Sequence, residues 1–516
     1  MMRAIARRGM VDAPVARSQQ GAHMARSACD RNDAEIPVKH WLPRFGLDEP
    51  NGSDDVAYTS INPYTEQIEQ EFANATDAEV EQALASAHAA QLSWRETDHA
   101  ERSRVLAAIA DRLEADREIY APVLTADMGK TIVEARAEVD NCVRILRWYA
   151  DHAAAELAPQ TRPSANYKGG HYQVVPSPLG IVYIVEPWNF PYYQIARVLA
   201  PQLAAGNTVI LKHASNVPRA AAAWQQLMLD AGAPEGLFTN LFASHAQSAR
   251  IIADDRVRGV ALTGSEAAGA IIAGQAAAAL KKSTMELGGA DALIVLEDAD
   301  VELAAKWAAF GRHRNSGQVC VSSKRMIVVD AVYDRFAAAY RAEVAKLVAG
   351  DPLNEQTTFA PLSSAGARTE LLEQVDRAVA AGATAETVDI ALPEHGWFMA
   401  PVILTDIAED NPAYTEEFFG PVTQLYRVAD EQEAVAVANS SPYGLGGSVF
   451  TADEQRGLAV GARLDTGMVS INRPSLGGAD VPFGGTKRSG YGRELTELGL
   501  LEFVNLKVIG LGDING

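Results

Sequence analysis

Cysteine is scarce in this chain: only Cys29, Cys142 and Cys320 occur among 516 residues. They make no C-x-x-C pair and no even framework. A disulfide scaffold is excluded, and a reduced, intracellular (cytoplasmic) setting is expected. Basic charge is also in deficit. The formal net charge of -21 excludes nucleic acid and anionic membrane surfaces as partners, and its plainest use is solubility. No uninterrupted apolar run reaches the length of a membrane span. The ten histidines form no H-E-x-x-H and no Cys/His cluster, so no metal is expected. Neither G-x-G-x-x-G nor a Walker loop occurs.

What is present is enough apolar sequence for more than one core, so two or three domains are expected. Residues 1–38 stand apart, with Arg3, Arg7, Arg8, Arg17, Arg26 and Arg31 among small and polar residues. Without an apolar h-region this is no secretory signal. A disordered extension is expected, with an organelle transit peptide as the alternative. Asp48 to Asp55 reads as a further loop. Thr76-Asp-Ala-Glu79 is a capping box opening a helix with Val80, Leu84 and Ala87 inward, and helical patterns continue to Tyr149. Tyr167 to Val175 reads as extended, a segment of the kind that projects toward another subunit.

Strands and helices then alternate. Ile181–Val185 is nearly all apolar, as a strand buried on both faces is, and Asn207–Leu211 and Gly259–Leu262 read as further buried strands. Ala292–Leu296 and Lys324–Val329 follow, then helices over Val332–Val348, Arg368–Ala380 and Glu431–Asn439. The Arg368–Ala380 helix shows Leu371, Leu372, Val375 and Val379 on one face. Gly446–Phe450, Met468–Asn472 and Leu501–Ile509 read as further strands. The alternation predicts an α/β fold with two α/β lobes.

Polar residues sit where buried strands end, which is where open α/β sheets place ligands. Asn189, in Pro187-Trp-Asn-Phe-Pro191, can donate to a developing oxyanion or satisfy its own turn. Lys212 can bind a ribose hydroxyl or a phosphate, or stand solvated. Thr263-Gly264-Ser265 before an Ala/Ile helix makes an anion site, because free N–H groups and the helix dipole face a ligand there. The stretch from Glu286 to Cys320 carries the chemistry. Glu286-Leu-Gly-Gly289 and Gly317-Gln-Val-Cys320 bracket one strand–helix unit. A thiolate there can attack an electrophilic carbon, and a carboxylate can activate water to release the product.

These stretches, with Glu417-Phe-Phe-Gly-Pro421 and Pro482-Phe-Gly-Gly485, resemble the NAD(P)-dependent, non-acylating aldehyde dehydrogenase superfamily from about Asn62 to about Ile509. The resemblance implies a Rossmann-like cofactor domain (60–163 and 180–287), a catalytic domain (288–476) and a small bridging sheet (164–179 and 495–511) that assembles a homodimer or homotetramer. It implies Cys320 as nucleophile, Asn189 with the Cys320 N–H as oxyanion hole, and Glu286 as the base for thioester hydrolysis. It implies cofactor contacts from Trp188, Lys212, Gly264, Ser265, Leu287, Glu417 and Phe419. Many NAD-specific members carry Glu three residues after the matching lysine. Ser215 stands here instead, so NADP is expected, alongside NAD.

The run Lys212-His-Ala-Ser-Asn-Val217 resembles the bacterial succinate-semialdehyde dehydrogenase branch. Arg197 and Arg314 match carboxylate-binding arginines of that branch, or else form ion pairs. Ser475 is a candidate for the substrate-loop serine, though the loop Asn472–Gly478 aligns poorly, and Arg473 is a third candidate cation. The expected reaction is oxidation of succinic semialdehyde to succinate. The alternatives are another small aldehyde, such as glutarate semialdehyde, and a non-catalytic binding protein of the same fold.

Overall fold

The computed structural model describes residues 58–165, 170–475 and 477–512. The expectations for residues 1–38, for the loop 48–55 and for the start of the Tyr167 strand lie outside them, as does Leu476. The chain opens with a hairpin (Tyr58–Ile61 with Ile68–Phe72) that sequence patterning missed. Four helices follow: Asp77–Trp94, His99–Ala115, Arg117–Met128 and Ile132–Glu156. The capping box is formed as expected: Glu79 N–H donates to Thr76 Oγ1 at 3.2 Å, and Thr76 N–H donates to Glu79 at 2.7 Å.

A six-stranded sheet comes next. Its spatial order is Gly490–Tyr491, Lys282–Glu286, Val257–Thr263, Ile181–Glu186, Thr208–His213 and Phe238–Asn240. All neighbours are parallel except the short Gly490–Tyr491 edge. In chain order the parallel strands run 3-2-1-4-5, a doubly wound pattern. The direction of winding reverses between Ile181–Glu186 and Val257–Thr263. Ligands bind in the crevice opened by such a reversal, outside the carboxyl ends of the strands.

The second sheet has seven strands, ordered Thr384–Thr387, Val402–Thr405, Val422–Val428, Ser323–Val329, Asp291–Val295, Gly447–Phe450 and Ser470–Ile471. Only Thr384–Thr387 is antiparallel. The two central strands, Asp291–Val295 and Ser323–Val329, are buried throughout. One apolar cluster covers each face of this sheet. Leu287 to Ala290 carries the chain from the last parallel strand of the first sheet into the middle of the second, so this turn forms a wall between them. A third sheet pairs Val504–Leu511, His171–Pro178 and Gln160–Pro163 antiparallel.

Three expectations are corrected. The expected strand Met468–Asn472 is only Ser470–Ile471. Residues Thr496–Leu501 form a helix, and the closing strand starts at Val504. On the helix Ala365–Ala380, Leu371, Val375 and Ala378 are buried, whereas Leu372 and Val379 are 41% and 45% exposed. The buried stripe is the i, i+4, i+7 row of Leu371, Val375 and Ala378, and Leu372 and Val379 flank it.

Candidate active site

A cleft of about 570 Å³ opens at the winding reversal of the first sheet. Trp188, Asn189, Ser265, Cys320, Glu417 and Phe419 are among its lining residues. Asn189 follows the buried strand Ile181–Glu186 directly, and Pro191 then starts the helix Pro191–Ala205 at a position that needs no N–H. Its side chain is nearly buried. One amide N–H donates to the carbonyl of Gln318 at 3.1 Å, which leaves the second free to face the cleft.

Cys320 is half-buried in the cleft wall. The helix Val301–His313 ends in a tight turn in which Asn315, Ser316 and Gly317 take φ values of 50°, 54° and 79°. Such left-handed geometry disfavours side chains. A Cβ on Gly317 would also stand 2.4 Å from the carbonyl oxygen of Gly420, so glycine is required. Beyond Cys320, Lys324 Nζ donates to the carbonyls of Val319 (2.7 Å) and Cys320 (2.8 Å) and pairs with Glu417 at 2.9 Å. Glu417 in turn accepts the Gly289 N–H at 3.0 Å. The cysteine turn, the inter-sheet wall and the Glu417 loop are thus tied through one fully buried ammonium. Burial pushes the Cys320 thiol up to about 11, against the pull of Arg197 and Lys324. The thiol therefore rests protonated and needs a base.

Glu286 ends the strand Lys282–Glu286 and is buried, and neither carboxylate oxygen has a hydrogen-bond partner. Its carboxylate packs beside Gly484, where a Cβ would come within 2.8 Å of Oε1. Burial first, then the nearby Glu494, hold it well above the usual carboxylate range, against Arg197 and Arg493. Leu287 and Gly288, the next two residues, line the cleft, but Glu286 itself is not among the lining residues. In this conformation its carboxyl lies behind the wall, with nothing bonded to it.

Of the expected cofactor residues, Trp188, Gly264, Ser265, Leu287, Glu417 and Phe419 line the cleft. Ser265 caps the helix Glu266–Ala278 by accepting the Ala268 N–H, so the helix N-terminus faces the cleft. Phe419 meets Trp188 edge-on, with ring centroids 5.6 Å apart. Lys212 and Ser215 stand outside the lining. Lys212 is buried, makes no side-chain hydrogen bond among the described residues and is pushed down to about 8 by burial. Ser215 is half-buried, and its carbonyl accepts the Thr59 N–H at 3.0 Å. A nicotinamide dinucleotide fits these residues. The cleft has the volume for its reactive half, the helix N-terminus suits a pyrophosphate, and the unpartnered Lys212 ammonium is a spare donor.

The two candidate substrate arginines differ in surroundings. Arg197 is buried and pairs through Nε with Glu494 at 2.5 Å. Its Nη2 donates to Thr263 Oγ1 at 3.2 Å, and the guanidinium stacks 4.2 Å from the Phe483 ring centre. Neither it nor Arg314 is among the cleft-lining residues, and its ion pair is a buried one within the chain rather than at the surface. Arg314 is half-buried, with no ion pair or side-chain hydrogen bond among the described residues. Burial lowers its pKa, and Cys320 and Glu134 are the first of the groups that oppose this. Ser475 is half-buried without a side-chain hydrogen bond among the described residues. Arg473 stacks over Trp307, 4.5 Å from its ring centre.

Sequence reasoning missed Lys324 and Glu494. Lys324 was legible only as the start of a strand. Two adjacent cations, Lys324 and Arg325, opening a strand that continues as an apolar run were the available signal, because buried cations need acceptors.

The aldehyde dehydrogenase family model matches residues 51–509. A succinate-semialdehyde dehydrogenase (NADP(+)) of Deinococcus radiodurans is 44% identical over 453 residues, covering 88% of this chain and 94% of that protein. One of the same name from Mycobacterium tuberculosis H37Rv is 41% identical over 454 residues, covering 87% and 98%. Among solved structures, the succinic semialdehyde dehydrogenase from Streptococcus pyogenes in complex with NADP+ superposes with a TM-score of 0.86. It is 45% identical and covers 89% of this chain and 100% of that one.

Proposed function

Since the chain belongs to the aldehyde dehydrogenase family, we propose that it oxidises succinic semialdehyde to succinate with NADP. The observation that carries the substrate reading is Arg314. It is a half-buried guanidinium with no ion pair or side-chain hydrogen bond among the described residues, and Cys320 is the first charge that acts on it; a guanidinium of this kind suits a carboxylate that stays ionised. The relatives named above support it, and so does Ser215, which would not repel a 2′-phosphate as a carboxylate would.

The chemistry follows from the residues. Cys320 gives its proton to Glu286, and the sulfur bonds to the aldehyde carbon. The carbonyl oxygen becomes an oxyanion that accepts from the free Asn189 amide N–H and the Cys320 N–H, a contribution of about 3 kcal/mol. NADP, when bound, supplies the hydride acceptor, and Glu417 and Phe419 orient its nicotinamide end. A thioester remains on Cys320. Glu286 first passes the cysteine proton to solvent; water then attacks the thioester, losing a proton to Glu286, and the C–S bond breaks to release the acid and the Cys320 thiolate, which is reprotonated. Glu286 reaches the cleft by side-chain rotation. No hydrogen bond opposes this, and the carboxyl ionises as it leaves its buried site for water.

The domain boundaries given above stand as part of this proposal. Self-association into a dimer or tetramer is supported by the edge strand Val504–Leu511. Leu506, Val508, Ile509 and Leu511 on it are all exposed, and an unpaired edge of this kind invites a second copy. A cytoplasmic location is supported by the free thiols Cys142 and Cys320. No described helix is long and apolar enough to cross a membrane. A panel of succinic semialdehyde, glutarate semialdehyde and butanal with NADP and NAD tests the whole reading. The highest kcat/KM belongs to succinic semialdehyde with NADP, and Cys320→Ala abolishes NADPH formation while cofactor still binds. A preference for butanal refutes the substrate, and activity in Cys320→Ala refutes the nucleophile.

A further inference from the structure

The start of the helix Ile132–Glu156 belongs to none of the motifs that mark the site, yet it touches both loops that carry reacting groups. Lys130, just before the N-cap Thr131, is fully buried and forms an ion pair with the equally buried Glu138. Lys130 Nζ also donates to the carbonyl oxygen of Asn189 at 3.0 Å and lies 4.0 Å from the Phe190 ring centre. Glu138 Oε1 accepts the N–H groups of Tyr192 (2.8 Å) and Tyr193 (3.0 Å), which open the helix Pro191–Ala205 and have no partner within it. One turn earlier, Glu134 accepts the N–H of Asn315 at 2.6 Å. Asn315 Nδ2 then donates to the same Asn189 carbonyl at 2.9 Å and to the Gln318 carbonyl at 3.2 Å.

Burying a lysine and a glutamate is expensive, and apolar side chains of similar volume hold a core together at least as well. Packing does not explain the pair. Position does. The Asn189 carbonyl takes two donors, one from the Lys130 side and one from the Cys320 turn. Its side-chain amide bonds back to Gln318, two residues before Cys320. Residues 134 and 138 share one helix face, so a single rigid helix start sets the spacing between the Asn189 amide and the Cys320 sulfur.

We propose that Lys130 and Glu138 are positioning residues for the reaction, acting through Asn189: they hold its amide where the oxyanion forms above Cys320. This rests on the reading of Asn189 as the oxyanion donor. The paired variant Lys130→Met/Glu138→Gln removes both charges together and leaves no buried ion alone. Its kcat falls about 10- to 100-fold, the cost of a misplacement of an ångström or so. KM for aldehyde and NADP stays within about threefold, as expected for an interaction made only in the transition state. Alkylation of Cys320 by iodoacetamide forms no oxyanion, and its rate also stays within about threefold. Adding Asn189→Ala lowers kcat no further than Asn189→Ala alone, because both act on one interaction. Losses that multiply, an unchanged kcat, or an alkylation rate that falls with kcat each overturn the proposal. Should Asn189→Ala alone leave kcat intact, the oxyanion reading fails and takes this inference with it. Glu138→Gln alone keeps the acceptor for Tyr192 and Tyr193 but leaves the Lys130 ammonium without its counter-charge; read beside a melting curve that shows it folded, it carries the same test if the paired variant does not fold.

Discussion

Replacing Arg314 by leucine separates a substrate contact from a structural one. Its guanidinium is half-buried, unpartnered among the described residues and electrostatically in reach of Cys320. A charge-assisted contact to a substrate carboxylate contributes about 1.5–3 kcal/mol. At 1.36 kcal/mol per tenfold, this is roughly a 10- to 150-fold loss in kcat/KM for succinic semialdehyde. Butanal has the same number of carbons and no carboxylate, so its kcat/KM stays within about threefold. Arg197→Met is the control, because it breaks a buried pair and strands Glu494 at 4% exposure. That costs about 3–5 kcal/mol of stability, lowers the thermal midpoint and reduces activity toward both aldehydes alike. NADPH absorbance read with each aldehyde, beside a melting curve, decides the matter. If Arg314→Leu depresses both substrates equally, or Arg197→Met selectively impairs the carboxylated one at unchanged stability, the assignment of the two arginines is refuted.

Two further outcomes bear on the cofactor. Ser215→Glu sets a carboxylate where the 2′-phosphate is proposed to lie, and at an effective dielectric near 20 the repulsion raises KM for NADP by about a hundredfold while NAD is little affected; equal effects on both would remove Ser215 from cofactor selection. Lys212 is pushed down to about 8 by burial, so it is cationic below that pH and neutral above it. NADP affinity therefore weakens as pH rises through about 8, and Lys212→Arg, which stays charged, removes that limb; a titration flat to pH 9 in the native protein contradicts it.

Local patterns carried much of this protein. The capping box at Thr76, the apolar runs Ile181–Val185 and Gly259–Leu262 and the helix Glu431–Asn439 are legible because cap chemistry and burial on both faces act over a few neighbouring residues. The cleft residues Asn189, Ser265 and Cys320 are legible for a related reason. Strand ends and tight turns present polar groups to ligands, and these residues follow strands or glycine turns. Other features depend on residues far apart in the chain. The partner of Arg197 is Glu494, Glu417 meets Lys324, and Asn315 bonds Glu134. No periodicity encodes which charge a buried charge will find, since that is set by how the two sheets and the helix Ile132–Glu156 pack. Sequence alone placed Arg197 and Arg314 on equal terms as candidate carboxylate ligands. The packed structure gives them different surroundings: the desolvation cost of the buried Arg197 guanidinium is met by Glu494, whereas Arg314 has no ion pair among the described residues.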